Sequence, residues 1–140
     1  MADKEIESEL EKKYTELQFI SQQMKQIQNQ LLLLNNQIQE LTHLQQSMTE
    51  FKELKDGTEI KISIGSGIYA DAILKSNNSL LVNVGAGVVV KKDIESTKRL
   101  VQQQTEEIRQ VHEQMMIELR ALYEQANSIE EEMNKLSKRM

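Results

Sequence analysis

Cysteine, proline and tryptophan are all missing from this 140-residue chain, and aromatic residues make up only 4% of it. Without cysteine there can be no disulfide, thiolate metal site or thiol nucleophile, and a reducing, cytoplasmic setting is expected. Without proline, nothing breaks a long helix. So few aromatic residues leave little bulk for a large globular core, so length is expected to become extension rather than the packed body of an enzyme.

Clustered positive charge is scarce as well. The formal charge is −5 with a pI near 5.2, and Lys91-Lys92 and Lys138-Arg139 are isolated pairs that suit helix ends. Phosphate affinity needs denser Lys and Arg, so nucleic acid is excluded as a partner. The longest apolar run of the first half is Leu31-Leu32-Leu33-Leu34, and the chain opens on the charged Asp3-Lys4-Glu5. Neither a signal peptide nor a membrane span is expected.

What the chain does have is a heptad seam. Ile6, Leu10, Leu17, Ile20, Met24, Ile27, Leu31, Leu34, Ile38, Leu41 and Met48 advance by alternating steps of four and three, with Lys13 and Gln45 in the two positions that break the apolar pattern. Asp3 is the expected N-cap, and Asp56-Gly57 the stop after a cationic last turn. The first arm, residues 1–55, is then a helix of about 50 residues, about 75 Å long at 1.5 Å per residue. Local looseness is expected at Lys13.

A second seam follows: Ile94, Val101, Ile108, Met115, Leu119, Leu122, Ala126, Ile129, Met133, Leu136 and Met140, with Lys98, Thr105 and His112 as polar interruptions and Asp93 as cap. If this helix, residues 93–140, folds back on the first, seam meets seam when paired positions add to roughly 146, which leaves almost no overhang. Ile6 then faces Met140 and Leu10 faces Leu136. The strict seven-residue repeat predicts a left-handed antiparallel coiled coil.

Between the arms, over residues 56–92, the period drops to two. Ile60, Ile62 and Ile64, then Ile68, Ala70, Ala72 and Leu74, then Leu80, Val82 and Val84, then Val88 and Val90 mark four short strands. Gly65-Ser66-Gly67 and Gly85-Ala86-Gly87, 20 residues apart, supply two hairpin turns of the same expected geometry. A Gly-x-Gly followed by a strand lacks the helix N-terminus that a phosphate loop needs. The four strands are expected to form one sheet with two bare edges, which strands of other subunits would complete.

No constellation for catalysis, cofactor or metal emerges. His43 on an outer helix face and His112 on the seam are lone histidines without ligand spacing. Glu106-Glu107 and Glu130-Glu131-Glu132 spread over several helix faces and read as solvated. The stretch from Leu17 to Gln39, rich in Gln and Asn with Lys25 as its one charge, either faces a neighbour or cavity or is simply solvated. Ile6, Leu10, Ile129, Met133, Leu136 and Met140 end the two seams. They are either ordinary seam residues or a reachable surface, in which methionine would suit varied partners.

Helix, twin hairpins with paired Gly-x-Gly turns and returning helix together resemble the alpha class of prefoldin subunits, of the archaeal type, over the whole chain. The segment Val82-Asn83-Val84-Gly85-Ala86-Gly87-Val88-Val89-Val90-Lys91-Lys92 is similar to that family's second hairpin; Ser63 stands where the family often has proline. The resemblance implies a hexamer with beta-class subunits, two alpha and four beta. Ile60, Ile62, Ile64, Ile68, Val82, Val84, Val88 and Val90 would lie in a β-barrel platform. The seam-end residues would hold unfolded clients without ATP for transfer to a group II chaperonin. The competing reading of the bare sequence is a structural coiled-coil scaffold with one fixed partner.

Overall fold

The computed structural model describes residues 2–139. Its order is α1 (Ala2–Glu53), β1 (Glu59–Gly65), β2 (Ile68–Ile73), β3 (Ser79–Gly85), β4 (Val88–Asp93) and α2 (Ile94–Lys138). The chain divides into two compact units that cut across the helices. One joins α1 up to Gln37 with α2 from Ile108 onward; the other is the continuous segment Ile38–Glu107.

In the first unit the two helix segments are antiparallel. Ile20, Ala126 and Ile129 form its buried cluster, with Leu17, Met24, Leu122 and Met133 packed against it. Ile20 with Ala126 is the pairing the seam register predicts, because a heptad pattern leaves only one stripe on each helix able to bury apolar surface. Beside it, Gln28 donates from Nε2 to the Tyr123 hydroxyl at 2.9 Å. Asp3, expected as a cap, falls inside the first turn of α1. There its charge still opposes the positive helix end.

The second unit carries both hairpins. Its helix segments meet through Gln45, whose Nε2 donates to Thr105 Oγ1 at 3.2 Å, and through an ion pair of Lys52 with Glu95. Thr105 also donates to the Val101 carbonyl at 2.7 Å. Two polar seam interruptions thus satisfy each other. At the start of α2, Asp93 Oδ1 accepts the Ser96 N–H at 2.6 Å, closing one of the four bare N–H groups of a helix start.

The Ser96 hydroxyl and backbone N–H hold the Asp93 carboxyl below the usual carboxylate range. Lys52 does the same for Glu95. A carboxyl with a lowered folded-state pKa stabilises the fold above its unfolded value, about pH 4, and that contribution is lost as pH falls through the folded one. Asp93→Asn keeps a capping oxygen without the charge, so its melting temperature should fall less than wild type's on going from neutral pH to about pH 3. Thermal melts followed by circular dichroism at a series of pH values check this. Parallel curves would remove the Asp93 charge from the account.

β1 pairs with β2 and β3 with β4, each pair antiparallel, as two separate two-stranded sheets rather than the expected single one. The linker between β2 and β3 explains why. Instead of turning β3 back onto β2, Asn77 donates its side-chain amide to the Lys52 and Leu54 carbonyls at 2.8 and 2.6 Å. These are bare carbonyls at the end of α1, and Asn77 acts as a distant C-cap. Gly57 N–H to Leu74 O at 2.7 Å and Leu74 N–H to Thr58 O at 2.9 Å tie the first hairpin's base to the same place. Replacing Asn77 with Ala removes two hydrogen bonds, an exposed one to Lys52 and a partly buried one to Leu54, a loss of about 1–3 kcal/mol. Urea unfolding of the chain should show a lower midpoint with an unchanged slope.

The hairpins share a register, with an irregularity at Ser63/Gly65 in one and at Asn83/Gly85 in the other. Their turns nevertheless differ. Ala86 takes φ 51 before Gly87 at φ 75, whereas Ser66 does not enter the positive region. Two successive positive φ values define the type I′ turn that suits the strand twist. Asn83 Oδ1, accepting the Gly85 N–H at 2.9 Å, braces the irregularity beside it.

Candidate assembly and client-binding surfaces

Alternation along each strand sorts the hairpin side chains into two faces. On the first hairpin Ile60 lies opposite Ala72 and Ile62 opposite Ala70, putting these four on one face. Ile60 is half-buried, while Ile62, Ile64 and Ile68 are exposed. The other face bears Tyr69, Ile73 and a cross-strand ion pair of Lys61 with Asp71 at 3.4 Å. On the second hairpin Val82 lies opposite Val90 and both are half-buried, while Val84 and Val88 are exposed.

Two-stranded sheets of this kind have little stability alone. The outer edges of all four strands present N–H and C=O groups with no strand partner among the described residues. Aliphatic side chains beside bare edges favour the addition of further strands.

Sequence reasoning missed a groove next to the second hairpin. It has a volume of about 770 Å³ and is lined by Leu44, Met48 and Phe51 from α1, Leu80 and Val84 from β3, and Val101 from α2. Met48 and Val101 are seam residues and are buried at its floor, but Leu44 lies off the seam and is exposed. Leu81, on the reverse face of β3, is 76% exposed. The signal available was an apolar residue outside the heptad stripe, as Leu44 and Phe51 are.

The seam ends lie in the first unit. Ile6, Leu10 and Met133 are half-buried, Ile129 is 6% exposed and Leu136 is 8% exposed. Met140 lies outside the described residues. Lys13, in the seam position before Leu17, is half-buried and its ammonium pairs with Glu132. That hydrogen bond, with the nearby charges of Glu16 and Glu9, raises the Lys13 pKa above the ordinary lysine range. Glu132 belongs to an acidic run that the sequence alone makes solvated, and the fold gives it a partner.

Away from the seam, Phe19, Leu32 and Leu33 of the amide-rich stretch are exposed. His43 is exposed and His112 half-buried on the seam. No helix among the described residues is long and apolar enough to cross a membrane.

Comparison with known proteins agrees with this architecture. The family model described as prefoldin subunit matches residues 20–139. The prefoldin subunit alpha of Archaeoglobus fulgidus is 24% identical over 127 residues, covering 91% of this chain and 93% of its own. That of Methanosphaera stadtmanae is 30% identical over 98 residues, 70% of each chain. Filamentous prefoldin from Methanocaldococcus jannaschii, solved by cryo-electron microscopy, superposes with a TM-score of 0.74 at 14% identity, covering 82% of this chain and 95% of that one. Two long helices flanking two hairpins are therefore its fold, and the chain belongs to the prefoldin family as a chaperone subunit.

Proposed function

We propose that this chain is the alpha-type subunit of a hetero-oligomer with beta-class prefoldin subunits, two alpha and four beta, which holds unfolded proteins without ATP in the cytoplasm and delivers them to a group II chaperonin. Residues 56–92 form the platform, and 1–55 with 93–140 form the arm. The observation that carries the reading is the pair of hairpins with bare edges and exposed Ile62, Ile64, Ile68, Val84 and Val88. Burial of that aliphatic surface supplies the drive to assemble, at about 25 cal/mol per Å².

Ile6, Leu10, Ile129, Met133, Leu136 and Met140 then make up this chain's share of the client surface. Several weakly binding arms around one cavity give retention through effective concentration. No residue is assigned to catalysis, and no cofactor is required.

The filamentous assembly of the structurally similar prefoldin favours a second reading, in which copies of this chain join head to tail through the two hairpins. Native mass spectrometry separates the two. Mixing with a beta-class subunit should give one closed species containing two copies of this chain. A ladder of masses from this chain alone would support the filament, and a persistent free chain in the mixture would overturn both.

A further inference from the structure

We propose that the arm is self-capped: the residues that would take a client are sheathed by the opposite helix of the same chain, and Lys13 with Glu132 forms the clasp that keeps them so. The inference rests on the client-binding reading of the seam ends and adds its regulation. Ile129 and Leu136 are buried in the closed arm, and Ile6, Leu10 and Met133 are half-buried. An apolar segment of an unfolded protein reaches Leu136 only when the helices part. Client and partner helix therefore compete for the same side chains.

The place where they part is set by the seam itself. From Leu17 inward, aliphatic residues pack around Ile20, Ala126 and Ile129. The next seam position outward is Lys13, which is half-buried and whose ammonium reaches Glu132. Lysine there replaces a layer of hydrophobic burial with an ion pair that is partly exposed, its side chains 25% and 51% accessible. Such a pair is weak and is screened by salt. Beyond it only the layers of Leu10 and Ile6 remain, on helix ends that fray. A strong inner seam and a weak outer one, divided at Lys13, confine opening to the last turns, which uncovers Leu136, Leu10 and Ile6 and leaves Ile129 in the inner cluster.

Opening as a minor state reduces apparent client affinity by the fraction of arms that are open. Lys13→Leu, which fills the seam, should weaken capture roughly tenfold. Glu132→Lys, which sets two cations against each other, should strengthen capture and speed amide exchange over residues 2–12 and 133–139. The probe is reduced and alkylated lysozyme, which stays unfolded without denaturant. The measurement is the yield of probe chemically cross-linked to this chain within the full assembly, which separates its arms from those of its partners.

The chain has no cysteine of its own, so Leu10→Cys with Leu136→Cys places one thiol pair across the seam end. After oxidation, verified by loss of free thiol, this protein should lose capture, and reduction should restore it. Equal capture by the oxidised and reduced forms, with serine substitutions of Ile6, Leu10, Met133 and Leu136 still defective, overturns the clasp and leaves the client surface standing. Undiminished capture by the serine variant overturns both.

Discussion

Ile62→Asp combined with Val84→Asp should take the assembly apart while leaving the helices intact. Each substitution sets a carboxylate on the aliphatic face where a neighbouring strand would pack, and burying an unpaired charge there costs several kcal/mol. Two such faces in one chain exceed what edge hydrogen bonds, at about 0.5–1.5 kcal/mol each, can offset. The free chain would not suffer, because Ile62 and Val84 are already exposed to water in it, at 46% and 51%. Native mass spectrometry should therefore show the uncomplexed chain, with the helical signal of Ala2–Glu53 and Ile94–Lys138 nearly unchanged. An intact complex would mean that assembly does not run through these faces.

The second large effect concerns the seam ends. Serine at Ile6, Leu10, Met133 and Leu136 should reduce this chain's cross-linking to an unfolded probe by tenfold or more, on the order of 1.4 kcal/mol for each tenfold step. Assembly mass should not change, because these positions lie in a different compact unit from the hairpins. Part of the arm should also lose helicity, since Leu136 is buried. Amide exchange locates that loss. Confined to the terminal turns, it supports a local role for these residues; spread to Ile20 and Ala126, it shows that the outer seam stabilises the whole arm.

The seams could be read from sequence residue by residue because a heptad is a local pattern with a single physical solution. Every seam position named within the described residues is buried or half-buried, including the polar interruptions Lys13, Gln45, Lys98, Thr105 and His112. The partners of those interruptions were not legible. Glu132 belongs to a run of three carboxylates, and nothing local distinguishes the one that reaches Lys13. Thr105 was recognisable as an interruption, but its hydrogen bond to Gln45 depends on the register.

The hairpins show the same division. Period-two alternation and Gly-x-Gly turns placed the strands. Whether the two hairpins would join in one sheet depended on Asn77, which looked like an ordinary turn residue and instead caps α1 from more than twenty positions away. The difference between the turns was likewise hidden, because Ser66 and Ala86 occupy equivalent positions and only φ separates them. Leu44 and Phe51 line a groove that exists only once β3 lies beside α1.

The central claim is that the assembled subunit holds unfolded chains and needs no nucleotide to do so. Its most direct test adds either native or alkylated, permanently unfolded lysozyme to the complex of this chain with its beta-class partner, with and without ATP, and measures bound protein by co-sedimentation. The account predicts capture of the unfolded form alone, unchanged by ATP. Failure to bind the unfolded form, with tight selection of one folded partner instead, would make the chain a coiled-coil scaffold and contradict the account.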